Sequence, residues 1–228
     1  MTHSITRENL KTPVLENGDS LSREEFERRY NHTPGVKKAE LIEGIVYMPA
    51  ALRYNQHARP NRAIMYWLTN YELGTPGVEC ADNVTVRLDM NNAPQPDALL
   101  RIVKGGQSII SDDDYVEGPP ELIVEIAAST VSIDLNKKLQ IYLQNQVQEY
   151  LVWRIQDQEI DWFRLKNSEY IKLLADTQGI IKSEIFPGLW LDINSLLTGD
   201  LTQMALVLQT GLQTPEHQVF VEKINQNF

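Results

Sequence analysis

One cysteine, Cys80, stands alone in 228 residues, so neither a disulfide within the chain nor a cysteine-rich zinc site can form. A reducing, cytoplasmic setting is the expectation. The sequence also lacks an apolar run of membrane-spanning length and a basic-then-apolar leader at its start, so a soluble chain is expected. Basic charge is scarce. The 21 Lys and Arg against 31 Asp and Glu give a net charge of −10, which argues against a protein that coats nucleic acid through unspecific attraction to phosphates. Missing too are a phosphate-cradling glycine loop, a Gly-x-Ser-x-Gly nucleophile elbow and any His/Cys metal spacing; nucleotide-cofactor and nucleophilic enzymes are disfavoured. No internal repeat is visible. What is there is a chain with 42% hydrophobic residues, long enough for one well-packed domain.

Residues 1–20 are polar, lack a sustained period and read as a flexible N-terminal arm. Ser22 and Glu25 form a capping box for the short helix SREEFERRYN, in which Phe26 and Tyr30 lie four apart. AELIEGIVYMP reads as a hairpin hinged at Glu43 and Gly44. Between Arg53 and Glu72, Ile64, Trp67, Leu68 and Tyr71 recur at helical spacing, and Gly74 with Pro76 stops the helix. VTVRLDM, PDALLRIV and ELIVEIAA are three β-rich runs. A helix is expected from Ser132 to Gln146, and EYLVWRI and EIDWFRL flank QDQ as a second hairpin. SEYIKLL and a run near Ile180 are expected to extend that sheet. FPGLWLDINSLL closes the domain with a terminal helix, and residues 201–228 read as a C-terminal helical tail whose glutamine-rich end, from about Thr210, has weak order signals. The pattern is α/β (α+β): one central mixed sheet flanked by helices over residues 21–200, with an N-terminal helix and hairpin.

ELIVEIAAST, residues 121–130, carries Glu125 inside an otherwise apolar strand, where an ionised carboxylate is costly to desolvate. Alternation puts Glu121, Ile123, Glu125 and Ala127 on one face and Leu122, Val124 and Ile126 on the other. Asp97, behind Pro96, begins the run DALLRIV, and two acids at the ends of neighbouring strands can share one cation. Mg²⁺ takes oxygen ligands and keeps several waters, so two or three carboxylates suffice. On the helix containing DLNKKLQIYL, Leu135, Leu139, Tyr142 and Leu143 define the buried stripe; Lys138 borders it and Lys137 points away. Each residue has a plainer reading as well: Glu125 paired with an Arg or Lys, and Lys138 paired with Asp134 one turn earlier. Taken together, Asp97, Glu125 and Lys138 would give two metal ligands and an ammonium. That set suits phosphodiester hydrolysis, in which a metal polarises the phosphate and acidifies its water while a lysine steadies the hydroxide or the developing charge.

The ordered series ELIEGIVYMP, PQPDALL, ELIVEIAAST, DLNKKLQIYLQNQVQEYLVW and FPGLWLD resembles the Uma-type restriction endonuclease family, abundant in cyanobacteria and part of the PD-(D/E)XK nuclease superfamily. The resemblance spans about residues 22–197. It implies a restriction-endonuclease-like fold and an endonuclease that cuts DNA with Mg²⁺, for which Mn²⁺ can substitute. By resemblance, Asp97 is the PD aspartate and Glu125 the second acidic position, both catalytic and both metal ligands. The superfamily's lysine usually lies two residues after that acid, where this chain has Ala127; the Uma-type pattern supplies it from the following helix, which matches Lys138. Glu40 matches another acidic position, as a further metal ligand or as a solvated hairpin carboxylate. His57 falls at the polar entry to the long helix and reads as a helix-start hydrogen bonder rather than a base. Where relatives commonly have Ser-Pro after the strand, this chain has Ala127-Ala128 before Ser129-Thr130, which leaves the loop shape open.

Cleavage of both strands of a duplex would favour a homodimer, and Arg53, Arg59 and Arg62 would supply a local basic track against the acidic surface. Two rival expectations stand beside this one: a catalytically silent interaction module on the same fold, its charges forming a buried ion-pair network, and a nuclease acting on RNA. Asp112, Asp113 and Asp114 read as a solvated loop, and Trp153 and Trp162 as core or subunit interface.

Overall fold

A computed structural model describes residues 12–48 and 53–226. Chain order begins with α1 (Arg23–His32), the strands β1 (Glu40–Ile42) and β2 (Ile45–Tyr47), and α2 (Arg59–Gly74), which is entered through a π-helical turn at Tyr54–Ala58. Then come β3 (Val78–Ala81), β4 (Val86–Arg87), β5 (Ala98–Ile102), β6 (Ile109–Ile110), β7 (Val116–Glu117) and β8 (Leu122–Ala127). A second π-helical turn, Ile133–Lys138, leads into α3 (Leu139–Gln144). The chain finishes with β9 (Glu149–Arg154), β10 (Glu159–Lys166), β11 (Glu169–Lys172), β12 (Ile180–Lys182), β13 (Trp190–Asp192), α4 (Ile193–Thr198), α5 (Leu201–Leu212) and α6 (Pro215–Asn225).

Six strands form the central sheet in the order β11-β10-β9-β8-β5-β3. Only β8 and β9 pair in parallel, so the sheet is mixed, as expected from the sequence. Its two faces follow strand alternation. Leu122, Val124 and Ile126 join the large core under α2, with Ile64, Trp67, Trp153 and Trp162. Ile123 and Ala127 belong to the opposite core, with Ile141, Tyr142, Tyr150 and Val152. Burial on both faces explains why β8 is apolar almost throughout.

Local chemistry fixes the surrounding elements. The Ser22 hydroxyl accepts from the Glu25 N–H and caps α1, but the Glu25 carboxylate turns to Arg28 and Arg29 instead of reaching back, so the capping box is half made. Glu43 and Gly44 both have positive φ, the geometry a two-residue hairpin turn requires, and they join β1 to β2. In α2, Ile64, Trp67, Leu68 and Tyr71 lie on the buried stripe, and Trp67 packs edge-on against Trp162.

Several expectations are corrected. The run near Ile180 does not extend the main sheet: β12 pairs with β13 in a separate two-stranded sheet, where Ile181 and Leu191 enter the core. The outer strand β11 is mostly exposed and carries Glu169 and Lys172, charges that discourage further pairing. VTVRLDM yields only the two-residue β4, which lies parallel to β7 in a side sheet. β3 is not expected from the sequence, because four residues with a single buried position, Val78, give no alternation to read. The helix expected from Ser132 begins as a π-helical turn. Residues 12–20, read as part of a flexible arm, are docked: Leu15 is buried, its N–H donates to the Thr33 hydroxyl, and Ser20 bridges to Ile45. Residues 1–11 lie outside the described residues. Beyond Thr210, α6 is capped by Thr214 and started by Pro215, and Ile224 joins the large core.

Candidate functional site

The site forms where the middle of the sheet meets the N-terminal hairpin and the second π-helical turn. β5 and β8 are antiparallel with Ala98 opposite Val124, so Asp97, one residue ahead of β5, comes level with Glu125. The two acids expected at the ends of neighbouring strands are therefore brought together. The Ile126 N–H donates to Asp97 Oδ2 at 2.8 Å, which ties the aspartate to the residue next to Glu125. Its other oxygen, Oδ1, contacts His57 Nε2 at 2.8 Å and accepts from Lys38 Nζ at 3.4 Å.

Lys138 reaches the same place from the other side. Its Nζ donates to Glu125 Oε1 at 2.8 Å and to Glu40 Oε1 at 2.9 Å, and lies 3.8 Å from Asp134 Oδ1. The helical stripe thus points Lys138 inward, and Lys137 goes elsewhere, to Tyr47 and Glu43. Lys138 thus pairs both with Asp134 one turn earlier and with the strand glutamate, and all three groups are buried. The Tyr142 hydroxyl donates to Glu125 Oε1 at 2.8 Å, and the Gln95 N–H donates to Glu40 Oε1 at 2.8 Å. Glu40 is buried rather than solvated. Ala127, the position where a lysine is usual, packs into the core beside Tyr150 and Val152.

Asp97, Glu125, Lys138, Glu40, Asp134 and His57 all line one cavity of about 660 Å³. Within it, Glu125, Glu40 and Asp134 share the single ammonium of Lys138, while Lys38 and Arg53 also line the cavity. Burial pushes the Glu125 carboxyl well above the usual carboxylate range; Lys138 opposes this, while Asp134, Asp97 and Glu40 add like charge. Burial also raises Asp134. For Lys138 desolvation works against the charge, yet the fields of Glu125, Glu40 and Asp134 outweigh it and hold the amine well above its ordinary value. At Asp97 burial is likewise outweighed, by the His57 hydrogen bond, Lys38 and the Ile126 N–H, so its carboxyl is held below the usual range.

The donors are oxygens of the kind a hard divalent ion takes. Glu125 and Glu40 are each hydrogen-bonded through Oε1, and their Oε2 atoms accept no hydrogen bond from the described residues. Among the described residues, no three His, Cys, Asp or Glu side chains are spaced to hold a metal ion as they stand. The set therefore suits a hydrated ion that keeps several waters and does not form a closed cage.

Sequence reasoning missed Lys38 and gave Asp134 and Tyr142 only structural parts. Lys38 lies in an irregular segment, where no periodicity marks an inward residue. Asp134 and Tyr142 stand four residues either side of Lys138 on one helical face, a spacing that could have drawn them in. Asp113 pairs with Arg87, and Asp112 and Asp114 are exposed, as a solvated loop requires. Trp153 and Trp162 lie in the large core.

A mixed sheet with acids meeting at adjacent central strands, and a lysine brought in by the following helix, is the architecture of a restriction-endonuclease-like nuclease fold. The sequence profile of the Uma2 family, described as "Putative restriction endonuclease", matches residues 23–194. The chain belongs to this family, as its motifs indicated, and its nuclease character is that of the family and the fold. Among solved structures it is similar to one titled "Crystal structure of a putative nuclease belonging to DUF820", from Anabaena variabilis ATCC 29413. The TM-score is 0.59 at 12% identity, covering 78% of this chain and 98% of that one, a likeness of fold. No curated protein matches the sequence. Among the described residues, no helix is long and apolar enough to cross a membrane.

Proposed function

We propose that this chain is a Mg²⁺-dependent endonuclease that hydrolyses DNA phosphodiester bonds. The observation that carries the reading is the convergence of Asp97, Glu125 and Lys138 in one cavity where three carboxylates share one ammonium. A divalent cation would relieve such an excess of buried negative charge. Asp97 and Glu125 would hold the ion with Glu40 as a further ligand, and when bound it would supply Lewis-acid polarisation of the phosphate and a more acidic water.

The other steps belong to the chain's own groups. Lys138 keeps its proton and offers a fixed cation to the attacking hydroxide or to charge developing on the phosphoryl oxygens. Tyr142 orients the Glu125 carboxylate, and His57, Lys38 and the Ile126 N–H orient that of Asp97. His57 acts as a hydrogen-bond partner of the aspartate in this scheme. Cutting both strands of a duplex calls for two such sites, hence a homodimer, and the lone Cys80 suits a cytoplasmic setting.

Incubation with supercoiled DNA, single-stranded DNA and RNA in Mg²⁺ or Mn²⁺ tests the reading. The wild type should cut DNA, and Asp97→Ala and Glu125→Ala should lose both cutting and metal binding. Preferential cutting of RNA would move the substrate and keep the site. A second reading, a catalytically silent interaction module, is favoured by the three carboxylates already around Lys138 and by the lack of a ready-made metal trio among the described residues. It predicts no heat on titration with either metal.

A further inference from the structure

A second cavity, of about 230 Å³, adjoins the first across the π-helical turn at Tyr54–Ala58. Arg53, Gln56 and His57 of this segment line the first cavity, whereas Asn55 and Arg59 line the second. The turn between β9 and β10 divides in the same way, with Gln156 on one side and Gln158 on the other. The two cavities thus share a wall, and a chain leaving the carboxylate cavity over this wall enters the second.

The arginines along that route are exceptional in an acidic protein. Among the described residues, Arg53, Arg59 and Arg62 make no ion pair with a carboxylate, whereas every other arginine does. With 31 acids to 21 bases, partners are abundant, so three arginines along one route without a carboxylate partner among the described residues are not the default. Arg59 and Arg62 stand three apart on α2 and therefore project from one face. The Arg59 guanidinium is packed against Gly199, where an added Cβ would come within 2.9 Å of Nη2. Thr198 and Asn55 add polar groups to the cavity, and the buried Trp153 gives it an apolar wall. On the dividing turn itself, Tyr54 follows Arg53 in the chain and is 71% exposed, a large ring held in solvent.

We propose that this second cavity is a nucleotide subsite: Arg59 and Arg62 bind the phosphodiester of a polynucleotide strand next to the bond held in the carboxylate cavity, and Tyr54 stacks on a base between them. The inference rests on the nuclease reading for what occupies the first cavity, but binding at the second needs no metal and no cutting. Arginine forks suit phosphate oxygens, and an exposed aromatic ring stacks on any base, so the subsite follows the strand and reads little sequence. It also reconciles the net charge with the substrate, since Arg59 and Arg62 make the path beyond the carboxylate cavity basic.

The test is fluorescence anisotropy with labelled DNA and RNA oligonucleotides of equal length, in EDTA, across a salt series. The wild type should bind. Arg59→Gln with Arg62→Gln should weaken binding at least tenfold at low salt, and should flatten the salt slope by between 1 and 2, about two phosphate contacts. Tyr54→Ala should weaken binding with little change in slope. Lys166→Gln, at an exposed position lining neither cavity, should leave both unchanged. If the arginine pair binds as the wild type does, or if the wild type does not bind at all, the subsite is refuted. The nuclease reading fails separately: a wild type that binds through Arg59 and Arg62 yet cuts nothing in Mg²⁺ or Mn²⁺ leaves the subsite standing without it.

Discussion

Lys138 is the residue on which the site turns. It is buried among Glu125, Glu40 and Asp134, so replacing it with a neutral side chain leaves buried carboxylates without their counterion. Removing one partner from such a buried set costs about 3–5 kcal/mol. Lys138→Met should therefore lower the urea unfolding free energy by about that much, while Lys137→Met, whose partners are half exposed, should change it little. A second buried acid gives a pH-dependent expectation. Burial pushes Glu149 up to about 7, against hydrogen bonds from the Ser183 hydroxyl and the Glu184 and Ile185 N–H groups. A folded pKa above the unfolded one means the folded state binds the extra proton, so this group's contribution is full below about 4.5 and is lost as pH rises through about 7. The unfolding free energy of the wild type relative to Glu149→Gln should fall by on the order of 3 kcal/mol between pH 4.5 and 8. At this scale the sequence was most legible where a charge interrupted an apolar pattern, as at Glu125, or bordered a stripe, as at Lys138. It was least legible at Lys38, whose contact with Asp97 is made across 59 positions of chain from an irregular segment.

Among the elements, β8 was readable because its alternation separates two cores, and α2 because its stripe is long. Short strands were not. β12 and β3 contain too few residues to show which neighbour they choose, and pairing is decided by packing contributed from distant parts of the chain. The packing of α2 on the sheet offers a direct comparison of two tryptophans. Trp67 Nε1 donates to the Trp190 carbonyl, whereas the buried Trp162 Nε1 has no partner among the described residues. The two lose similar volume on substitution by Phe, but only Trp67→Phe breaks a hydrogen bond, and Trp162→Phe removes an unsatisfied donor. Trp67→Phe should be the more destabilising by about 1–3 kcal/mol in chemical denaturation, and equal losses would show that the Trp162 N–H is satisfied.

For the whole molecule, family membership and the mixed central sheet account for a nuclease-like architecture, and the acidic composition would have hidden it. Net charge is a property of the entire surface, whereas a substrate meets one path across it. The homodimer proposed for double-strand cutting is checked by sedimentation velocity on the full chain, which should give twice the monomer mass; a monomer that still linearises plasmid in a single encounter would remove the need for it. At the centre of the proposed function, remote carboxylates act as one metal-binding, bond-breaking unit. Cleavage of supercoiled DNA in Mg²⁺ by the wild type, beside matched Glu125→Gln protein shown to be folded, tests that most directly. Nicked and linear products from the wild type, and none from the variant, are the predicted result; equal cutting by both, or none by the wild type in either metal, would contradict it.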